Sequence, residues 1–263
     1  MQESDHGRRN LRAMKPVKPE TSMIHMQSTS EQLWPEFTAW FAAQVEDALH
    51  TQDSFHVAIP GGQTPEALFR YLAGPGGDGI PWDRIHFWWT DERVVLPTDS
   101  RSNFMMASRA LLVPRRIPDA HIHRVKTEME MRRAAVLYAI ELEDTLCRRF
   151  TSIPYLNLVL LGIGEDGHIA SLFPHAEVEE PHPWSLLAKH DDLYRISLPY
   201  EVIGAAARVA FLVVGSRKSE IVKRIFNPER GADEDLPAAI LLRRRPDITW
   251  FMDAAAGLTV NES

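Results

Sequence analysis

The 263-residue sequence holds a single cysteine, Cys147. One thiol excludes an intrachain disulfide framework and a multi-cysteine zinc site, and it fits a reducing cytoplasm. Long apolar runs are missing as well. None approaches the roughly 20 residues needed to span a bilayer, and the charged start of the chain is not followed by the apolar stretch of an export signal. Neither membrane insertion nor export is therefore expected. Positive charge is also scarce: 29 Lys and Arg stand against 36 Asp and Glu, for a formal net charge of -7. That balance argues against general affinity for nucleic acid, although a few well-placed cations suffice for a phosphorylated small molecule. No internal repeat of solenoid period is present.

What the sequence does contain is ordinary for a globular protein. Hydrophobic residues make up 44% and charged residues 25%, so disorder of the whole chain is excluded. The length allows a full core, and residues 28–263 are expected to form a single α/β domain. Residues 1–27 are polar, with Arg8, Arg9, Lys15 and Lys18 set among prolines, and read as a mobile N-terminal tail.

Along the chain, strand and helix patterns alternate. Ser28 and Glu31 form a candidate capping box, and Leu33, Phe37, Trp40, Phe41, Val45 and Leu49 follow on one helical face, with Pro35 tolerable only in the opening turn. Short apolar strands are expected at Phe55–Ile59, Ile85–Trp89, Leu156–Leu161, Phe211–Val214 and Thr249–Met252. Between them, Thr64 and Pro65 suit the start of a helix, Ser102 and Asn103 the start of another through Leu112, and a Thr127–Glu130 box opens a third to about Phe150. Cys147 is expected to be packed near the end of that third helix rather than reactive. The alternation predicts an α/β fold: a doubly wound, mainly parallel sheet with helices on both faces, Rossmann-like. His121 and His123 alternate along a predicted edge strand, His121–Val125. They share a face, but no third ligand is near them in sequence, so they read as solvated residues rather than a metal site. His175–Asp192 reads as an irregular excursion and candidate flap, and Arg243–Arg245 as a solvated turn.

The chemistry is concentrated at the ends of strands. Leu158–Pro174 reads LVLLGIGEDGHIASLFP: a buried strand runs into Gly162 and Gly164, then delivers Glu165, Asp166 and His168 within four residues. In open α/β sheets ligands sit outside the carboxyl ends of strands, so an acid or base is placed there. His168 is the candidate general base, because neutral imidazole is well populated near pH 7. Asp166 either orients its ring or shapes the loop. The turn PGGQTP puts the backbone N–H groups of Gly61, Gly62, Gln63 and Thr64 at a helix start, where a phosphate is held by donors and by the dipole. Arg93, at the end of the Ile85–Trp89 strand, suits bidentate phosphate recognition. Lys218, just after the Phe211–Val214 strand, is placed to reach the same anion. Each feature alone has a plainer reading: a glycine turn, a surface ion-pair cluster, an exposed helix lysine.

Together these stretches resemble the 6-phosphogluconolactonases, within the larger family that includes the glucosamine-6-phosphate deaminases. Leu158–Pro174 is similar to the signature GxGxDGHxASLFP. PGGQTP is similar to SGGSTP, with Pro60 and Gln63 in place of serines. DERVVLPTDSRSNF resembles DERxVP…SN with Leu96 inserted. Residues 195–225 resemble RITLT…NAA…VxFLVxGxxKA, with Gly204 at the usual asparagine, and LPAAI is a further match. The likeness covers roughly residues 30–256. It implies hydrolysis of 6-phospho-D-glucono-1,5-lactone to 6-phosphogluconate in the oxidative pentose phosphate pathway, with Arg93 a phosphate ligand. It implies neither metal nor organic cofactor, and as partner only the small sugar-phosphate lactone, not nucleic acid or membrane. Two other readings are an amino-sugar-phosphate isomerase-deaminase and a non-catalytic sugar-phosphate binder. The deaminase motif DGHIAFNEP has a glutamate before its final proline, where this sequence has Phe173.

Overall fold

The computed structural model describes residues 22–147, 152–228 and 233–257. In chain order the elements are β1 (Met23–Gln27), α1 (Ser30–Leu49), β2 (Phe55–Ile59), α2 (Gln63–Ala73), β3 (Ile85–Trp89), β4 (Asp91–Arg93), α3 (Asn103–Ala107) and α4 (Met131–Leu146). They continue with β5 (Leu158–Leu161), β6 (Val178–His182), β7 (Ser185–His190), β8 (Leu193–Ser197), α5 (Tyr200–Ala205), β9 (Arg208–Val213), α6 (Ser219–Phe226), α7 (Pro237–Arg244) and β10 (Thr249–Asp253). Six strands pair in parallel in the order β1-β10-β9-β5-β2-β3, and β4, β8, β7 and β6 form a separate antiparallel sheet.

Apart from the edge strand β1, the parallel strands are buried on both faces, which is why they read as continuous apolar runs. Side chains nevertheless alternate between two cores. Phe55, Val57 and Ile59 of β2, Leu158 and Leu160 of β5 and Phe251 of β10 face the layer made by Leu33, Phe37 and Phe41 of α1 and Leu68, Phe69 and Leu72 of α2. Val159 and Leu161 of β5, Phe211 of β9 and Trp250 of β10 face the opposite layer, with Tyr138 and Leu142 of α4, Ile221 and Val222 of α6 and Leu241 of α7. Helices thus cover both faces, as the alternation predicts. From β2 the chain moves outward to β3, whereas from β5 it moves the other way to β9 and β10. The order reverses between β2 and β5, so their carboxyl ends flank an open crevice.

Several expectations need correction. Residues 23–27, read as part of the tail, form the edge strand β1 in register with β10; its weakly apolar sequence shows no strand signal until β10 supplies the ladder. His25 stacks on Phe251 at 4.6 Å between centroids, and Glu36 of α1 accepts from both His25 and Gln27. Residues 1–21, with the four basic tail residues, lie outside the described part. Helix α1 starts at Ser30 behind Thr29 rather than with a Ser28–Glu31 box, and runs through Pro35, the burial of Leu33, Trp34 and Phe37 holding that irregular turn. Glu130, not Thr127, caps α4: its carboxylate accepts from the N–H groups of Arg132 and Arg133. That helix ends at Leu146, and Phe150 lies outside the described residues.

His121–Val125 meets the sheet only through one bridge, Phe87 to Ile122, after a 3₁₀ turn at Asp119–His121. His175–Asp192 is no irregular excursion. It contains the β6–β7 hairpin of the small sheet, hidden in sequence by its glutamates, histidines and prolines. Arg243 and Arg244 close helix α7 rather than form a turn: Arg244 is exposed and pairs with Glu201, whereas Arg245 is not solvated and donates to the carbonyls of Gly204, Ala206 and Ala207. Arg245 therefore ties the turn at Gly204.

Candidate active site

The loop after β5 closes on itself. The N–H of Gly164 donates to the carbonyl of His168 at 2.9 Å, and that of Gly167 to the carbonyl of Gly164 at 3.1 Å. Gly167 has φ +84°, in the left-handed region that glycine enters without strain. A Cβ on Gly164 would overlap His168 Nδ1 and Asp166 Oδ1, so only glycine allows the imidazole and carboxylate to meet there. They are 2.6 Å apart, and the His168 N–H donates to the same oxygen at 3.2 Å.

Burial pulls the His168 pKa below its ordinary value, more than the charge and hydrogen bond of Asp166 raise it. For Asp166 burial works upward, but the charge and hydrogen bonds of His168 outweigh it and hold the carboxyl below its usual range. Near neutrality the pair is thus neutral imidazole beside carboxylate. With Nδ1–H donating to Asp166, Nε2 is the basic nitrogen. Against the ring lies Phe173, at 4.5 Å between centroids, itself stacked on His190 at 3.8 Å and under the Arg195 guanidinium at 5.2 Å.

Across the crevice, β2 runs into Pro60, Gly61 and Gly62. Gly62, at φ +105°, caps α2, so the helix starts at Gln63 and Thr64 and Pro65 are its second and third residues rather than its cap and first residue. Among the described residues the N–H groups of Gly61 and Gly62 have no acceptor. Asn103 packs so closely on Gly61 that a Cβ there would overlap its side-chain amide. From β4, Arg93 donates through Nη1 to the carbonyl of Arg101 at 2.7 Å, while its buried Nε has no partner among the described residues.

In the antiparallel pairing of β4 with β8, Arg93 stands directly opposite Arg195, whose buried Nε is also unpartnered. Burial, then the charge of Arg93, pushes the Arg195 pKa down. Like charges opposite one another destabilise a sheet unless an anion lies between them. Lys218 ends the turn after β9, where burial lowers its pKa against the opposing charge of Glu165. Gly61, Gly62, Arg93, His168, Arg195 and Lys218 border a cavity of about 210 Å³ at the carboxyl ends of the strands.

The cavity brings together Gly61, Gly62, Arg93, His168 and Lys218 of the residues singled out in the sequence. Asp166 stands behind His168 through their hydrogen bond. Gln63 and Thr64 form the first turn of α2 but do not line the cavity, whereas Pro60 does. Sequence reasoning missed Arg195, because its register opposite Arg93 exists only once the small sheet is formed. Asp91 and Asn103 also line the cavity, and buried Asp91 accepts from the Ser171 hydroxyl at 2.7 Å.

His121 and His123 are at the other end of the sheet, grouped with His56 and His86: rings 86 and 121 stack at 4.0 Å, and His86 Nδ1 lies 2.9 Å from His123 Nε2. Among the described residues no group of three or more His, Cys, Asp or Glu is arranged to hold a metal ion. A larger cavity of about 330 Å³ shares Phe173 with the site, but its one arginine, Arg244, is paired with Glu201 and lies over Tyr200.

Comparison with known proteins shows the family and the fold. The family described as glucosamine-6-phosphate isomerases/6-phosphogluconolactonase matches residues 28–250. A 6-phosphogluconolactonase of Nostoc sp. is 34% identical over 244 residues, covering 88% of this chain and 98% of that one. Another, from Treponema pallidum, is 36% identical over 191 residues, covering 71% and 78%. Among solved structures, one described as devB protein superposes with a TM-score of 0.79 at 31% identity, over 89% of this chain and 98% of its own.

Proposed function

The chain belongs to the family of glucosamine-6-phosphate isomerases and 6-phosphogluconolactonases, and we infer from that membership that it hydrolyses 6-phospho-D-glucono-1,5-lactone to 6-phospho-D-gluconate, in the oxidative pentose phosphate pathway. One observation supports this reading above others: two facing arginines that make no ion pair among the described residues and a carboxylate-supported neutral histidine share one cavity of a size to hold a sugar phosphate.

The substrate has a phosphate at one end and a ring ester at the other. In the proposed mode the phosphate lies between Arg93 and Arg195, with Lys218 and the free N–H groups of Gly61 and Gly62 completing the anchor. The dianion offsets the repulsion of the arginines and orients C1 toward His168. Nε2 of His168 takes a proton from water as the oxygen attacks C1, and Asp166 stabilises the imidazolium that forms. Collapse of the tetrahedral intermediate breaks the bond to the ring oxygen, which leaves with the proton held by His168. One water is consumed, and an acid and an alcohol result. Only acid–base groups are needed, so the mechanism calls for neither metal nor organic cofactor.

The deaminase reading requires a proton-exchanging group at position 173. Phe173 has none, and instead packs on His168 and under Arg195. Purified protein given fresh phosphogluconolactone, and separately glucosamine 6-phosphate with ammonia detection, tests the choice. Lactone hydrolysis without ammonia release is expected; ammonia release without hydrolysis would reverse the assignment. Among the described residues no helix is long and apolar enough to cross a membrane. A cytoplasmic location is the reading that the lone cysteine supports, and a single domain that takes in β1 the reading that the common sheet and its two-layer core support.

A further inference from the structure

Glu92 stands between two cavity-lining residues, Asp91 and Arg93, yet it is 1% exposed and does not line the cavity. Its carboxylate receives four hydrogen bonds. Oε1 accepts from the N–H groups of Arg93 at 2.7 Å and Asn103 at 2.8 Å, and Oε2 from the N–H of Phe104 at 2.7 Å and the hydroxyl of Ser102 at 3.0 Å. No ion pair within 4.0 Å involves it among the described residues. Four donors occupy essentially all the lone-pair directions a carboxylate offers.

These donors belong to the parts of the cavity that would face the phosphate. The N–H of Arg93 fixes the backbone that carries its guanidinium. The N–H groups of Asn103 and Phe104 fix the start of α3, and Asn103 in turn donates through Nδ2 to the Asp91 carbonyl at 2.8 Å and packs on the Gly61 turn. The loop thereby returns so that the carbonyl of Arg101 meets Arg93 Nη1. One buried carboxylate holds β4, α3 and the glycine turn in a single arrangement.

We propose that Glu92 is a positioning residue for the anion site, holding Arg93 and the Asn103–Gly61 contact in the geometry that grips the phosphate of the substrate. The proposal rests on the reading of Arg93 as phosphate anchor. Only a carboxylate fits the role: every group around it is a donor, and a glutamine would turn its own NH₂ toward a backbone N–H. Because Glu92 is remote from the attacking water, its loss affects binding and spares the chemical step.

The test is steady-state kinetics on Glu92→Gln, Arg93→Ala and the double variant, with folding checked by near-ultraviolet circular dichroism. Glu92→Gln is expected to raise KM about tenfold with kcat nearly unchanged, the size of effect a small misplacement of a binding group produces. In the Arg93→Ala background it should add less, since one of the two groups it positions is already gone and only the Asn103–Gly61 contact remains to be lost. A fall in kcat at constant KM, or the same KM increase in both backgrounds, overturns the proposal. An unchanged KM in Glu92→Gln beside a raised one in Arg93→Ala sinks the proposal alone, whereas an unchanged KM in Arg93→Ala sinks the anchor reading and the proposal with it. Should Glu92→Gln fail to fold, Ser102→Ala removes one of the four donors and keeps the carboxylate. A smaller rise in KM at constant kcat is then expected, and an unchanged KM counts against Glu92.

Discussion

Gly164 and His168 are closed against each other: the glycine N–H donates to the histidine carbonyl at 2.9 Å, and the glycine's missing side chain leaves the space where the imidazole meets Asp166. Gly164→Ala should therefore act as a catalytic lesion although the glycine itself exchanges no proton. The methyl group displaces the ring, and a shift of about 1 Å in a reacting group can cost on the order of a hundredfold. We expect kcat to fall by that order while KM changes little. Near-normal kcat in a folded variant would show that His168 need not occupy this position.

His168→Ala removes the proposed base and should lower kcat by roughly two or more orders of magnitude with little loss of substrate binding. The intact enzyme should also show an acidic limb in kcat/KM. The base works unprotonated, and burial lowers its pKa, so activity should persist to a pH below the ordinary imidazole range before it fails. Asp166 raises the histidine pKa, so Asp166→Asn should move this limb to still lower pH while reducing kcat. A limb that moves upward in Asp166→Asn would contradict the pairing.

Arg195→Ala tests the cation that the sequence did not reveal. If Arg93 and Arg195 share the phosphate, each alanine variant should raise KM for the phosphorylated lactone, with kcat much less affected. Unphosphorylated gluconolactone should be a poor substrate of the intact enzyme and nearly indifferent to both substitutions. Equal losses on both lactones would move the arginines away from the phosphate.

At the opposite end of the sheet the histidine group predicts acid sensitivity. Burial first, and then the charges of neighbouring histidines, push His56 down to about 3 and His86 down to about 4 from an ordinary 6.5. His56 is faced by the Ser54 hydroxyl and Trp88 Nε1, His86 by His121 and His123, and His123 by Glu141. Between these values and 6.5 the unfolded chain binds protons that the native state refuses, so stability is complete above about pH 6.5 and is lost as the pH falls toward 4 and then 3. Melting temperature should drop over that range, and less steeply in His86→Gln. A flat profile from pH 7 to about 4 would remove these histidines from the account.

The strands β2, β3, β5, β9 and β10 were legible because each is a short apolar run bounded by turn residues, and a parallel strand buried on both faces needs no partner to look like one. The turn from Gly162 to His168 was legible for a similar reason: its donors, acceptors and glycines are neighbours in sequence, so the pairing of Asp166 with His168 is a local event. Gly61, Gly62, Arg93 and Lys218 were placed by one rule, that ligands gather at the carboxyl ends of parallel strands.

Other features were decided only by tertiary structure. β1 and the β6–β7 hairpin carry weak strand signals, and their ladders come from partners chosen by the fold. Arg195 comes to line the cavity because β8 pairs with β4 in the register that sets it opposite Arg93, and Glu92 is enclosed by donors because the start of α3 returns to it. His121 and His123, two residues apart and outwardly a solvated pair, meet His56 and His86 only when β2 and β3 lie side by side. Sequence by itself determined what depends on near neighbours: helix and strand periods, glycine turns and the closeness of Asp166 to His168. Register, burial and the meeting of like charges depend on contacts between distant segments, and these exist only when the whole core has closed.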